Sequence, residues 1–373
     1  MNGSRETDRG ADRTRSGVLC WFISPHGFGH AARACSVIAA VSRLCGGIRH
    51  HLFTTVPRAF FDDSLVGVSF ECHHLECDVG MIQRTPFVED VDATIRALER
   101  LPLDGGRVFK QVAAEVATTG CRLIISDIAP LGLAIADRLS LPGVLIENFT
   151  WDWIYGAYGD PRLDGFSQRL ATVFGSAALR IQTAPICLPV HGAHKVQPVS
   201  RNPRLGRHEL RSMLGVAADD RLVLLSVSGL ESPLIGRGFR PPAGTILVAP
   251  GSGDGIRHEG NLIRIPTMGG PYHPDLVAAS DLVVAKLGYS TVAEVYHAGT
   301  ALAYLRRPIF PESSILEGFV REQIPSAALA GNWLEDPSTT RILKELLETP
   351  RPTDPRPNGA ETAAELILNA LRQ

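Results

Sequence analysis

Short apolar runs alternate with helical segments across nearly the whole chain, and several of the runs stop at a glycine, a proline or a small-residue turn. That alternation constrains the fold more than any other property of the sequence. Runs this brief and this uniformly apolar suit strands buried on both faces, and strands separated by helices pair in parallel. In the first half the runs are Val18 to Ser24, His50 to Thr55, Val66 to Cys72, Arg122 to Ser126 and Gly143 to Glu147. Helical composition fills Ala31 to Leu44, Phe87 to Leu101, Gly106 to Thr119 and Leu131 to Leu139. A proline-rich stretch between Thr183 and Arg207 has little periodicity and reads as an interdomain connection. A second series follows, with Leu222 to Val227, Thr245 to Val248, Leu262 to Ile265, Leu282 to Ala285 and Ala301 to Leu305. The expected fold is α/β, two Rossmann-like doubly wound domains over 18–195 and 205–357, closed by a terminal helix over 358–373. Strand C-terminal ends of two such domains would face a central cleft.

A length of 373 residues is comfortable for two cores. The net charge of -2 offers no basic field, so nucleic acid is not an expected partner. No apolar run approaches the roughly 20 residues of a membrane span, so no integral membrane segment is expected. Residues 1–17 are polar and charged, lack the apolar core of a secretory signal, and read as a disordered tail. All seven cysteines lie between Cys20 and Cys187, several in apolar or helical settings. That usage suits reduced thiols in a cytoplasm.

The turns carry the chemistry. In DLVVAKLGYSTVAEVYHAGT, Asp281 to Thr300, a buried-strand run turns through Lys286, Leu287, Gly288 and Tyr289 into a helix. Ser290 or Thr291 is the expected N-cap, with His297 and Gly299 as stop signals. A helix start of this kind presents unpaired N–H groups and the positive end of a dipole, a ready site for phosphate. Ser226-Val227-Ser228-Gly229 forms another small-residue turn. After the first strand come His26, Gly27, Phe28, Gly29 and His30, where glycine admits close approach of a ligand. The positions after Gly27 and Gly29 bring Ala32 rather than glycine, so a dinucleotide fingerprint is not satisfied. Asp127 closes an apolar strand at the same rim. Paired with His30 it could fix the tautomer of a general base, or it could simply cap the next helix. Cys72, His73, His74 and Cys77 lack a second ligand pair at metal-site spacing, and no metal is expected. Asp90-Val91-Asp92 reads as a helix start. Trp151, Trp153, Tyr155 and Tyr158 follow a strand and could stack on a sugar face or pack between domains.

Together, Gly27-Phe28-Gly29-His30 and SDLVVAKLGYSTVAEVYHAGT resemble GT-B glycosyltransferases, particularly the MurG-like family 28 type. SPHGFGHAAR, ENFTWDWIYGAY, AKLGYSTVAEV and LRRPIFPE are similar to the glycosyltransferase-like N-terminal region of L-arabinokinases. The kinase half of those proteins has no counterpart in these residues, so phosphorylation of arabinose is not implied. The resemblance implies an inverting, metal-independent transfer from a nucleoside-diphosphate sugar, a UDP-sugar by family habit, to an unidentified small-molecule hydroxyl, with no cofactor. It makes His30 the base and Asp127 its orienting partner. Gly288, Ser290 and Thr291 would hold the donor phosphates, Glu294 the ribose and Glu312 the donor sugar, with the base against Pro266 to Met268. Gly29, Gly229, Thr267, Lys286 and Tyr289 complete the implied donor set, and His26, Phe28, Trp151 and Trp153 the acceptor side. Lys286 departs from the serine or arginine of many relatives. A non-catalytic sugar-nucleotide-binding protein and an epimerase-like GT-B enzyme are the alternatives.

Overall fold

Most of the apolar runs become strands covered on both faces, because the helices that follow them have one apolar side to bury. The structure, a computed structural model, describes residues 16–373 except 86–87, 104, 228–238, 252, 267–268, 308–309 and 355. Gly229, Thr267 and Met268 therefore lie outside the described residues. The chain divides into two compact units, Met1–Val199 with Gly359–Gln373, and Ser200–Asn358.

The first unit contains strands β1 (Ser16–Ile23), β2 (Gly47–Thr54), β3 (Phe70–His74), β4 (Gln83–Thr85), β5 (Val88–Glu89), β6 (Leu123–Asp127), β7 (Gly143–Glu147), β8 (Leu179–Thr183) and β9 (His194–Val196). Seven of them form one parallel sheet in the order β3-β2-β1-β6-β7-β8-β9. One face packs on the helix Phe28–Leu44 through Ala31, Ala34, Val37, Ile38 and Val41. The terminal helix Gly359–Arg372 joins this same core through Ala363, Ala364, Ile367 and Leu371, so it is built into the first unit although the chain reaches it last. The opposite face is covered by the helices Arg107–Thr118 and Pro130–Leu139.

The second unit contains β10 (Arg221–Ser226), β11 (Thr245–Gly251), β12 (Arg257–Glu259), β13 (Leu262–Pro266), β14 (Leu282–Lys286), β15 (Ala301–Leu305) and β16 (Ser326–Leu329). Their order is β12-β13-β11-β10-β14-β15-β16, parallel except for the antiparallel edge strand β12. Separate apolar cores lie on its two faces. In both sheets the winding reverses beside the first strand, between β1 and β6 and between β10 and β14. Such reversals open a crevice at the strand C-terminal ends, where ligands of doubly wound sheets bind.

Several local expectations change. The first strand starts at Ser16, inside the segment read as tail, and β3 runs later than Val66 to Cys72. The helix expected over Phe87 to Leu101 is split: Val88–Glu89 pairs with Gln83–Thr85 as a hairpin, and the helix is Val91–Leu98. Asp90 caps it by accepting the Ala93 N–H at 2.9 Å, which is the helix-start role expected of that acidic pair. Neither Ser290 nor Thr291 is an N-cap. Gly288 holds that position, the helix is Tyr289–Ala298, and no side chain caps it. Its stop signals are as read, His297 in the last turn and Gly299 left-handed at φ 63.

Candidate active site

In the first unit the site is built at the β1/β6 reversal. Strand β1 ends at Ile23, in register with Asp127 at the end of β6. The turn that follows β1 enters the helix Phe28–Leu44 through Gly27 at φ 72, a left-handed conformation that favours glycine. His30 therefore lies in the first helical turn, and Arg33 sits one turn further on the same side. The chain leaves β6 through Ile128, whose φ of 46 is strained for a β-branched residue. Asp127 caps nothing: the helix Pro130–Leu139 has Ala129 as its N-cap, without a side-chain bond. Its carboxylate is turned instead to His30 and Arg33.

The geometry is tight. His30 Nδ1 lies 2.9 Å from Asp127 Oδ1. Arg33 donates from Nε to Asp127 Oδ2 at 2.8 Å and from Nη2 to Oδ1. Arg33 Nη1 also donates to Asn148 Oδ1 at 2.8 Å and Thr183 Oγ1 at 3.4 Å. Burial pushes the Asp127 carboxyl up, but the Arg33 charge and hydrogen bonds, together with His30, outweigh it and hold the group below its ordinary value. Burial also lowers His30, against a smaller opposing pull from Asp127. The lowered value favours a neutral imidazole, and with its proton on Nδ1, donated to the ionised carboxylate, Nε2 keeps its lone pair.

Aromatic side chains frame this group. His26 meets Trp151 edge-on at 5.1 Å, and His30 lies 6.1 Å from Phe149. Trp151 is fully buried and donates its indole N–H to Asp78 Oδ2 at 2.6 Å, so it packs beneath the histidines and offers no free face. Trp153 is half-buried on the same helix, Trp151–Tyr158. Phe28 is half exposed and stacks on Phe60 at 5.0 Å. Gly29 is in the first turn of its helix, partly exposed. Asp78 is buried, and that burial raises its carboxyl to about 6 despite hydrogen bonds from Ser24, Trp151 and the backbone.

In the second unit the β10/β14 reversal carries the matching feature. Lys286 ends β14, the backbone turns at Leu287 and Gly288, and the uncapped helix Tyr289–Ala298 begins with no acidic residue in its first turn. Tyr289, Ser290 and Thr291 occupy that first turn and are partly exposed. Burial lowers the Lys286 ammonium, the Arg307 charge lowers it further, and Glu312 opposes both, so these three groups share one electrostatic neighbourhood. Glu312 is buried at the N-cap of the helix Ser313–Gln323.

Glu294 sits one turn into its helix and is almost fully buried. Arg201 donates to Oε1 from Nη2 at 3.0 Å, and His273 Nδ1 lies 2.6 Å from Oε2. His273 Nε2 in turn lies 2.9 Å from Ser226 Oγ at the end of β10. Burial raises Glu294, but Arg201 and His273 overcome it and keep the carboxylate ionised. His273 is more accessible than Glu294, its side chain being 33% exposed against 3%. Arg33, Asn148, Asp78, Arg201 and His273 were not singled out from the sequence, and Ser226 was read only as the start of a small-residue turn. Only the arginine three residues after His30 carried a local signal, since i and i+3 share a helix face.

The fold and the two reversal-point sites define a class: the chain has the GT-B fold, two Rossmann-like units of the kind found in glycosyltransferases. Three solved structures illustrate the likeness. The spinosyn forosaminyltransferase SpnP matches at TM-score 0.60 and 15% identity, over 96% of this chain and 95% of that one. Arabidopsis thaliana UGT89C1, complexed with UDP-L-rhamnose, matches at TM-score 0.64 and 11% identity, over 96% and 100%. MurG from Acinetobacter baumannii matches at TM-score 0.52 and 15% identity, over 95% and 99%. By sequence the chain is 24% identical to the L-arabinokinase of Arabidopsis thaliana over 364 residues, 94% of this chain and 34% of that protein. The chain thus spans about a third of that relative. No family model matches the sequence.

Proposed function

We propose that this protein is an inverting glycosyltransferase that moves a sugar from a nucleoside-diphosphate sugar, a UDP-sugar, to the hydroxyl of a small-molecule acceptor. The observation that carries the reading is His30 held neutral with Nδ1 on the ionised Asp127. Nε2 can then take the acceptor proton as oxygen attacks the anomeric carbon, and Asp127 stabilises the imidazolium that forms. A single in-line displacement inverts that carbon. The departing diphosphate is assigned to the uncapped start of Tyr289–Ala298, with the Lys286 ammonium before it, which supply positive charge without a metal or cofactor. Glu294 is assigned to the nucleotide ribose, acting together with His273. UDP is the favoured nucleotide because UGT89C1 has been solved with UDP-L-rhamnose and with UDP. The reading places the protein in a reducing cytoplasm, which its cysteine usage suits, and no described helix is long and apolar enough to cross a membrane.

One observation favours a second reading, sugar-nucleotide binding without transfer. Arg33 engages both oxygens of Asp127 and its charge lowers His30, which weakens the base. Incubation with a panel of nucleotide sugars and acceptors, with UDP release as readout, separates the two. Transfer predicts UDP release from at least one donor, and a loss of about 10²–10⁴ in turnover for His30→Ala with UDP affinity retained. UDP binding with no release from any donor selects the second reading, and undiminished turnover in His30→Ala removes the base assignment.

A further inference from the structure

Apart from the His30 site, the first unit gathers a second set of titratable side chains on the outer part of its sheet. Strand register places His51 of β2 opposite Glu71 of β3, and Phe53 opposite His73. Alternation along the strands turns all four to one face, while Leu52 and Cys72 point to the other. His51 Nδ1 lies 3.0 Å from His73 Nε2 and 3.7 Å from Glu71 Oε2. One ligand atom from each of the three residues falls within 4.8 Å of the others. His73 is fixed from behind. Its Nδ1 lies 2.6 Å from Glu115 Oε1 on the helix Arg107–Thr118, and its ring stacks on Phe53 at 4.3 Å and 10°.

We propose that His51, Glu71 and His73 form a divalent metal site of the zinc type, with Glu115 orienting His73. Glu115 accepts a hydrogen bond from the Nδ1–H of His73, which leaves the Nε2 lone pair directed at His51. A histidine that ligates through one nitrogen and donates from the other to a carboxylate is the usual arrangement around zinc. Two imidazoles and a carboxylate are a zinc donor set, with water taking the fourth position. Ligand atoms about 2.0–2.1 Å from a tetrahedral ion stand about 3.3 Å apart. The observed 3.0 and 3.7 Å bracket that spacing, and Glu71, 68% exposed, is free to adjust. Binding requires only that His51 carry its proton on Nε2, with Nδ1 turned to the ion.

The site shares only His73 with the cysteine–histidine string in the sequence. Cys72 faces away, and Cys77 is buried with its thiol donated to the Ile23 and Phe53 carbonyls at 3.2 and 3.4 Å. His51 and His73 are brought together by strand pairing alone. Because β3 is the edge of the sheet, an ion here would tie the edge strand to β2 and, through Glu115, to the covering helix. It is not part of the proposed transfer step and does not rest on it.

The test uses the full chain stripped with a chelator and titrated with Zn²⁺ or Co²⁺ alone. We expect one equivalent bound, a visible Co²⁺ spectrum of tetrahedral intensity, and a Tm that rises on metal addition. His73→Phe should abolish the equivalent, and Glu115→Gln should weaken it by about 10–100-fold. Glu71→Gln, at an exposed position, should weaken binding while the metal-free Tm stays at the wild-type value. Absence of a bound equivalent in the wild type would overturn the proposal. So would full affinity in both Glu71→Gln and His73→Phe.

Discussion

Asp127→Asn isolates what the buried acid does. The substitution keeps the shape of the side chain and removes its charge, while Arg33, 1% exposed, keeps its own. Asn148 and Thr183 still accept from the guanidinium, but neither neutralises it. Removing one partner of a buried ion pair costs about 3–5 kcal/mol, because the other charge is left uncompensated. At about 2–4 °C per kcal/mol for a unit of this size, Tm should fall by about 6–20 °C. Turnover should fall as well, since His30 loses the acceptor that fixes its tautomer, by about 10²–10⁴. Adding Arg33→Met separates the two losses. With both charges gone, the double variant should regain most of the stability lost by Asp127→Asn and none of the turnover. Denaturant unfolding measures the first quantity, and UDP release at saturating donor the second. A double variant no more stable than Asp127→Asn would refute the ion-pair reasoning, and recovery of turnover would refute the orienting role.

Three further outcomes follow from the same geometry. Glu294→Gln leaves Arg201 and His273 facing a neutral amide, so nucleoside-diphosphate affinity should drop while the fold is retained; unchanged UDP binding in a thermal-shift titration would remove this network from the donor site. Asp78, with its folded value raised to about 6 from an ordinary 3.8, binds more protons folded than unfolded between those limits. Its contribution therefore favours folding at low pH and is lost as pH rises from about 4 to about 6, so Asp78→Asn should flatten the stability profile in that window, as read by urea unfolding against pH. Gly80→Ala should displace His26, because the backbone is left-handed at φ 66 and a Cβ would stand 2.7 Å from the imidazole. A loss of at least about 1 kcal/mol and a shifted His26 resonance are expected, and a spectrum identical to wild type would count against the packing of that turn.

The strands were the most legible part of this protein. Gly143–Glu147 and Ala301–Leu305 fall where the apolar runs place them, because a strand buried on both faces is written mostly in apolar residues. The hairpin at Val88–Glu89 was not legible: two paired residues carry no period, and the helical pattern beyond them extends back over their positions. The cap at Gly288 was misread for a related reason. Serine and threonine are the common caps, but here the turn is tightened through glycine and the hydroxyls of Ser290 and Thr291 fall inside the helix. At the candidate site, His30 and Asp127 were visible as ends of elements. Arg33 was hidden within a helical stretch that looked merely amphipathic, although its guanidinium is the group that holds Asp127 ionised.

What the sequence determined by itself was local: which segments are strands, which turns contain glycine, and therefore which residues emerge at strand ends. Periodicity and turn chemistry act over a few residues, so they survive the loss of all three-dimensional information. Tertiary structure decided the pairings. His30 and Asp127 are 97 residues apart, His51 and His73 are 22 apart, and Glu294 meets Arg201 across 93. Whether such groups touch depends on strand order and register, and a one-residue slip would turn His51 to the opposite face from Glu115. Burial then sets the protonation states, because the same carboxyl is held ionised beside Arg33 at position 127 and is raised to about 6 at position 78, where hydrogen bonds oppose burial without overcoming it.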